Sequence, residues 1–276
     1  MSGAIAPPTI NPDNPPWSVP TAIFVWLVSV FLLYVVPSFT GLAYALYRLH
    51  PFTIQALADL VKTDPNFILF SVAGMLPVHL ITFIIVWGIV TQFGKRPFWQ
   101  TLGWSWGAGF GFWTSAGLAI ILLFLGILIS NLIGGGETQL DQIIKSSTVS
   151  RFAIAFFATV TAPFVEELVY RGVLYSALRR AVGMLWAVIA VGTLFASIHL
   201  PQYNNNLGAI TAVAILSFAL TYVRARTSRL LPCFIIHLVF NGLQSAGIIL
   251  DPYIQQLHTE GNHKTALITI VVRLIV

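Results

Sequence analysis

The chain has 276 residues, 57% of them apolar and only 8% charged, with a formal net charge of +5 and a mean hydropathy of +0.85. Soluble domains carry about 25% charged residues, so this composition excludes a water-soluble globule; there is too little charge to cover so much apolar surface. The basic residues form no cluster interleaved with aromatics, which excludes a nucleic-acid partner, and the single Cys233 excludes an internal disulfide.

In chain order, the opening MSGAIAPPTINPDNPPWSVP is rich in Pro and Asn and lacks the basic start of a cleavable signal peptide. Residues 1–19 are therefore expected to be a disordered cytoplasmic tail, and 20–276 a single transmembrane domain. At roughly 20 residues per crossing, the length holds about eight helices and no separate soluble domain. Hydropathy places them near 20–37, 66–92, 107–133, 152–178, 186–203, 207–223, 231–249 and 264–276. The fold class is thus all-α and polytopic. Between the first two spans, PFTIQALADLVKT repeats its apolar residues at helical spacing, as an interfacial helix does. Lys95, Arg96, Arg179, Arg180, Arg224, Arg226 and Arg229 fall on one side of this topology. Arg48, Lys62, Lys145, Arg151 and Lys264 fall on the other. The compact basic groups all lie on the first side, which is expected to face the cytoplasm.

The fourth span contains APFVEELVYRG, with Glu166, Glu167 and Arg171 in an otherwise apolar run. A charge near the bilayer centre costs roughly 2.5–3.5 kcal/mol, so three of them need partners or a wet cavity. Glu167 and Arg171 are one helical turn apart on one face and neutralise each other. Glu166 points about 100° away and has no such partner. Downstream, TLFASIHLPQY sets His199 one turn after Phe195, and CFIIHLVFNG sets His237 one turn before Asn241. Singly, each motif also has a structural reading, as an interhelical hydrogen bond or a buried clamp. Their depths coincide, however. Glu167 and His199 each lie sixteen residues from Gly183 (183 − 167 and 199 − 183). If Gly183 turns a hairpin, both sit about 24 Å from the turn, and His237 enters from the same side.

A carboxylate removed from water becomes a base able to work near neutral pH. Glu166 and His199 could hold and polarise a water, while His237 and Asn241 could stabilise an oxyanion. No G-x-S-x-G serine setting and no H-E-x-x-H occur. The segments EELVYRG, FASIH and HLVFN resemble the EExxxR, FxxxH and HxxxN motifs of the CAAX protease and bacteriocin-processing (CPBP, or Abi) family. RPFWQTLGW and GGGETQLDQIIKSS resemble its lead-in segments, so that the likeness covers residues 95–245, with a catalytic core at about 150–245. The resemblance implies an intramembrane glutamic endopeptidase with its active site inside the bundle. It implies Glu166 as base, His199 as its partner on the water, and His237 with Asn241 at the oxyanion. Glu167, Arg171 and Phe195 then support the site, and no cofactor is required. Two alternatives stay open: a zinc protease using Glu166, His199 and His237 as ligands, and a non-catalytic, immunity-like membrane protein. The expected partners are the lipid bilayer and a peptide or protein substrate, membrane-associated substrates included. The expected location is a prokaryotic cytoplasmic membrane, with the site open to the cytoplasm.

Overall fold

Pro37, where the hydropathy reading ends the first span, does not end the helix. In the computed structural model, which describes residues 10–259, helix α1 runs from Val19 to Arg48. A proline removes one backbone donor, and in lipid no water replaces it. Here hydroxyls take up neighbouring carbonyls: Ser38 donates to Tyr34 O at 2.7 Å and Thr40 to Pro37 O at 3.0 Å. The expected interfacial helix follows as α2 (Ile54–Thr63), capped by Thr53. Next come α3 (Pro65–Ala73), α4 (Met75–Thr91), the short α5 (Phe98–Thr101) and α6 (Phe112–Ile133). The amphipathic α7 (Gln139–Ser146), α8 (Thr148–Phe156), α9 (Ala162–Glu167) and α10 (Tyr175–Ile198) lead to α11 (Leu207–Thr227) and α12 (Leu231–Thr259). A first π turn (Phe157–Thr161) precedes α9 and a second (Leu168–Leu174) comes after it. Among the described residues no strand forms beyond one isolated bridge, Gly107 to Phe110.

Among the described residues, six helical stretches are long and apolar enough to cross a membrane. One of them, Thr148–Ile198, spans 51 residues. Straight, it would run roughly 75 Å at ~1.5 Å per residue, over twice the ~30 Å hydrocarbon core. It instead doubles back at Gly183, whose φ of 82° only glycine adopts without strain. Phe195 on the returning limb lies edge-on to Tyr170 on the outgoing one, 5.0 Å between centroids, so the limbs are antiparallel and in the register inferred from spacing. Counting that hairpin as two passes, the described residues make seven. The eighth expected span, 264–276, lies outside them.

The bundle is dressed for lipid. Its exposed side chains include Phe31, Ile84, Ile121 and Leu132, whereas Glu167, Arg171, Arg224, His237, Ser217 and Thr221 are buried. Packing α6, α11 and α12 together leaves small residues at the contacts. A Cβ on Gly208 would come within 2.7 Å of Ser130 Cα, so the α11 start can approach the α6 end only as glycine.

Part of the tail differs from expectation. Residues 1–9 lie outside the described structure, but 10–18 are docked rather than disordered. Asp13 pairs with Arg224 at 2.7 Å and Arg179 at 2.8 Å, and also accepts from Ser228. Arg180 donates to Trp17 O at 2.8 Å, and the buried Trp17 donates its indole N–H to Val173 O at 3.0 Å. Composition suggested disorder because it weighs apolar content; three arginines supply the ordering contacts instead.

Gly208→Ala is expected to lower stability by about 1–3 kcal/mol, because the opposing atoms are backbone and cannot swing aside. Gly117→Ala, which meets nothing within 4 Å, is the control and should be neutral. Thermal melting of both variants in detergent checks this, and equal melting temperatures would contradict the packing argument.

Candidate active site

The two π turns bracket the six-residue α9 that ends in Glu166 and Glu167. A π turn inserts one extra residue, rotates the helix downstream of it, and frees carbonyls from the regular ladder; such turns recur at functional sites. Side chains from elsewhere take up those carbonyls. Asn241 on α12 donates to Ala158 O at 2.9 Å in the first turn. In the second, Arg224 on α11 donates from Nε to Arg171 O at 3.1 Å, and Trp17 reaches Val173 O. Thr159 adds a 2.9 Å bond to Ser245 on α12. The backbone around the glutamates is thus pinned from α11, α12 and the N-terminal segment.

Glu167 and Arg171 form the expected pair, 2.9 Å apart with both side chains fully buried. The arginine spends its other donors on α11: Nε on Thr221 at 3.2 Å, and Nη2 on Ser217 O at 3.0 Å and Ser217 Oγ at 3.2 Å. Its guanidinium also lies 4.4 Å from the Phe195 ring centroid, a cation–π contact in a dry setting. Phe195 is the hub expected of it, with His199 at 4.7 Å and His237 at 5.8 Å.

His237 projects from α12 directly onto the glutamates. Its Nδ1 lies 2.9 Å from Glu167 Oε1, and a carboxylate that already accepts from Arg171 accepts here too, so Nδ1 is the donor. Its Nε2 faces Glu166 Oε2 at 3.8 Å, beyond a direct hydrogen bond. Glu166 is the one carboxylate with access to water: its side chain is 23% exposed, against 0% for Glu167. Sequence spacing set the two acids apart and gave Glu166 a water shared with His199. The structure adds His237, whose Nε2 lies 3.8 Å from Glu166, a contact spacing did not foresee. His199 caps the end of α10, with Nδ1 2.8 Å from Phe195 O and its ring tilted against that of Phe195. Phe195 thus touches both histidines, the His199 ring tilted against it and the His237 ring edge-on.

Among the described residues no three His, Cys, Asp or Glu side chains are grouped so as to hold a metal ion. Glu166, His199 and His237, the set of the zinc alternative, are not grouped in that way. Two neighbours escaped the sequence reading. His79 on α4 lies 2.8 Å from Thr161, at the end of the first π turn, and Arg224 backs the second. His79 carried a signal, being the lone ionisable residue in MLPVHLITFIIVWGIVT. The lead-in segment RPFWQTLGW builds an aromatic cluster against α9, in which Trp104 lies 5.9 Å from Phe164 and 5.1 Å from Phe234.

Residues 148–243 match the family model for Type II CAAX prenyl endopeptidase Rce1-like proteins. The matched segment holds both π turns, the Gly183 hairpin and the motif residues from Glu166 to Asn241. That segment is similar to an Rce1-like domain, and the chain is a polytopic all-α membrane protein. No curated protein and no solved structure matches the chain.

Arg171→Ala would leave Glu167 buried without its counter-charge, which costs about 3–5 kcal/mol. The variant is expected to lose folded yield and melting temperature, whereas Glu166→Gln, at the wetter position, should stay near wild type. Fluorescence-detected size exclusion with a temperature ramp reads both, and an Arg171→Ala protein as stable as wild type would show the pair to be dispensable for folding.

Proposed function

We propose that the chain is an intramembrane glutamic endopeptidase in which Glu166 is the base. One observation carries this reading. Of two adjacent acids, Glu167 is dry and committed to Arg171 and His237, while Glu166 is partly open to water and carries no direct hydrogen bond among the described residues. The 3.8 Å between Glu166 and His237 suits a bridging water better than a direct bond. Glu166 takes a proton from that water, the resulting hydroxide attacks the scissile carbonyl, and the same proton passes to the leaving amine. His237 stands between the two carboxylates, with Nδ1 on Glu167 and Nε2 facing Glu166. Its Nε2–H, together with the second amide hydrogen of Asn241, then steadies the oxyanion. His199, with Nδ1–H on Phe195 O, keeps Nε2 free to accept from the water or from a substrate amide.

The arginine-bearing loops mark the cytoplasmic face, and the site is open toward it from a position within a cell membrane of prokaryotic type. The substrate is a peptide or membrane-associated protein. The Rce1-like name speaks of CAAX prenyl peptides, and a prenylated C-terminus is one candidate class.

Glu166→Gln is expected to abolish cleavage of a tagged peptide library in phosphatidylethanolamine–phosphatidylglycerol proteoliposomes, with folded yield unchanged. Substantial turnover by this variant would remove Glu166 as the base. Asn241→Ala should lower turnover by about 10²–10³-fold, the scale of one lost oxyanion donor. Elemental analysis of active, chelator-washed protein should find no stoichiometric zinc. About one zinc per chain, with activity lost on stripping and restored on addition, would overturn the glutamic mechanism.

A further inference from the structure

A histidine outside the matched segment reaches the same backbone. His79 is buried on α4, with Nδ1 2.8 Å from Thr161 Oγ1 and its ring 6.1 Å from that of Phe157. Phe157 and Thr161 are the first and last residues of the first π turn, and Thr161 Oγ1 also donates to Phe157 O at 3.4 Å. With its proton directed to Phe157 O, the hydroxyl has a lone pair that can accept from His79 Nδ1–H. On the far side α12 grips the turn through Asn241 on Ala158 O and Ser245 on Thr159. Glu166 follows Thr161 by five residues, and its carboxylate lies close enough to act electrostatically on the His79 ring.

A π turn competes with the α-helical register, which differs by one residue in its hydrogen bonds. Slipping to the α register would rotate Glu166 by about 100°, away from His237. Two rigid α-helices joined by a histidine would gain only stability; a histidine bonded to a turn with two available registers selects between them. We propose that His79 is a positioning residue for Glu166: through Thr161 it holds the π register that faces the carboxylate toward His237 Nε2. The proposal rests on Glu166 being the base.

The test uses the full chain in the same proteoliposomes, with a peptide from the tagged library that wild type cleaves. His79→Leu and the isosteric Thr161→Val should each lower kcat by about 10–100-fold with KM unchanged, the scale of a misaimed catalytic group. The double variant should be no worse than the poorer single. His79→Asn places an amide N–H where Nδ1–H was, and Thr161→Ser keeps the hydroxyl, so both should retain most of kcat. Hydrogen exchange at residues 158–162 should quicken in His79→Leu and not in His79→Asn. Wild-type kcat in Thr161→Val would overturn the proposal, as would additive losses in the double variant. So would a His79→Asn variant as poor as His79→Leu, which would give the ring its own chemistry. Failure of this idea is separable from failure of the parent reading: Glu166→Gln inactive with His79→Leu fully active sinks only the former, whereas an active Glu166→Gln sinks the base assignment itself.

Discussion

The buried pair of Glu167 and Arg171 is the interaction on which the rest depends. Alone, either charge would be costly in a bundle surrounded by hydrocarbon, and the pair itself repays its desolvation only when the remaining donors and lone pairs are met. The protein meets most of them from other helices. Ser217 and Thr221 receive the guanidinium, Phe195 covers its face, and His237 shares the carboxylate oxygen. Because these partners sit on α10, α11 and α12, satisfying one ion pair fixes the relative depth and rotation of three helices around α9. His237 arrives opposite Glu166 as a consequence of having to bond Glu167.

That coupling explains why the reading from spacing succeeded as far as it did. Helical periodicity is rigid over a few residues, so the Glu167–Arg171 pair, the Phe195–His199 stack and the depth match about Gly183 were all legible. The family resemblance over EELVYRG, FASIH and HLVFN agreed with the matched segment. What spacing could not carry was rotation. Each π turn adds a residue, and the two turns flanking α9 lie in FATVT and LVYRGVL, segments with no residue that marks a π register in advance. Spacing along a regular helix therefore paired Glu167 with Arg171 but did not place His237 against the two glutamates.

The long-range contacts were less legible still. Asp13 lies more than two hundred residues from Arg224, and a Pro- and Asn-rich start reads as a tail whatever its single acid does later. The arginines were visible, but as topological markers for one face of the membrane. Arg179 and Arg224 serve in addition as ligands for Asp13. Hydropathy similarly read Pro37 as an end, although α1 continues through it, with Ser38 and Thr40 bonded back to Tyr34 O and Pro37 O.

These misses share one cause. In water, a carbonyl released by a proline or a π turn finds a solvent partner and leaves no trace on the rest of the sequence. In lipid it must be met by a donor from the protein, wherever in the chain that donor lies. Ala158 O is met by Asn241, Arg171 O by Arg224, and Val173 O by Trp17. The irregular backbone that presents Glu166 is therefore tied to α11, to α12 and to the N-terminal segment at once. Asn241 spends one amide hydrogen on the first π turn, and its second is fixed at a set angle on the same planar group. On the proposed reading, the turn that aims Glu166 therefore also sets the direction of the oxyanion donor.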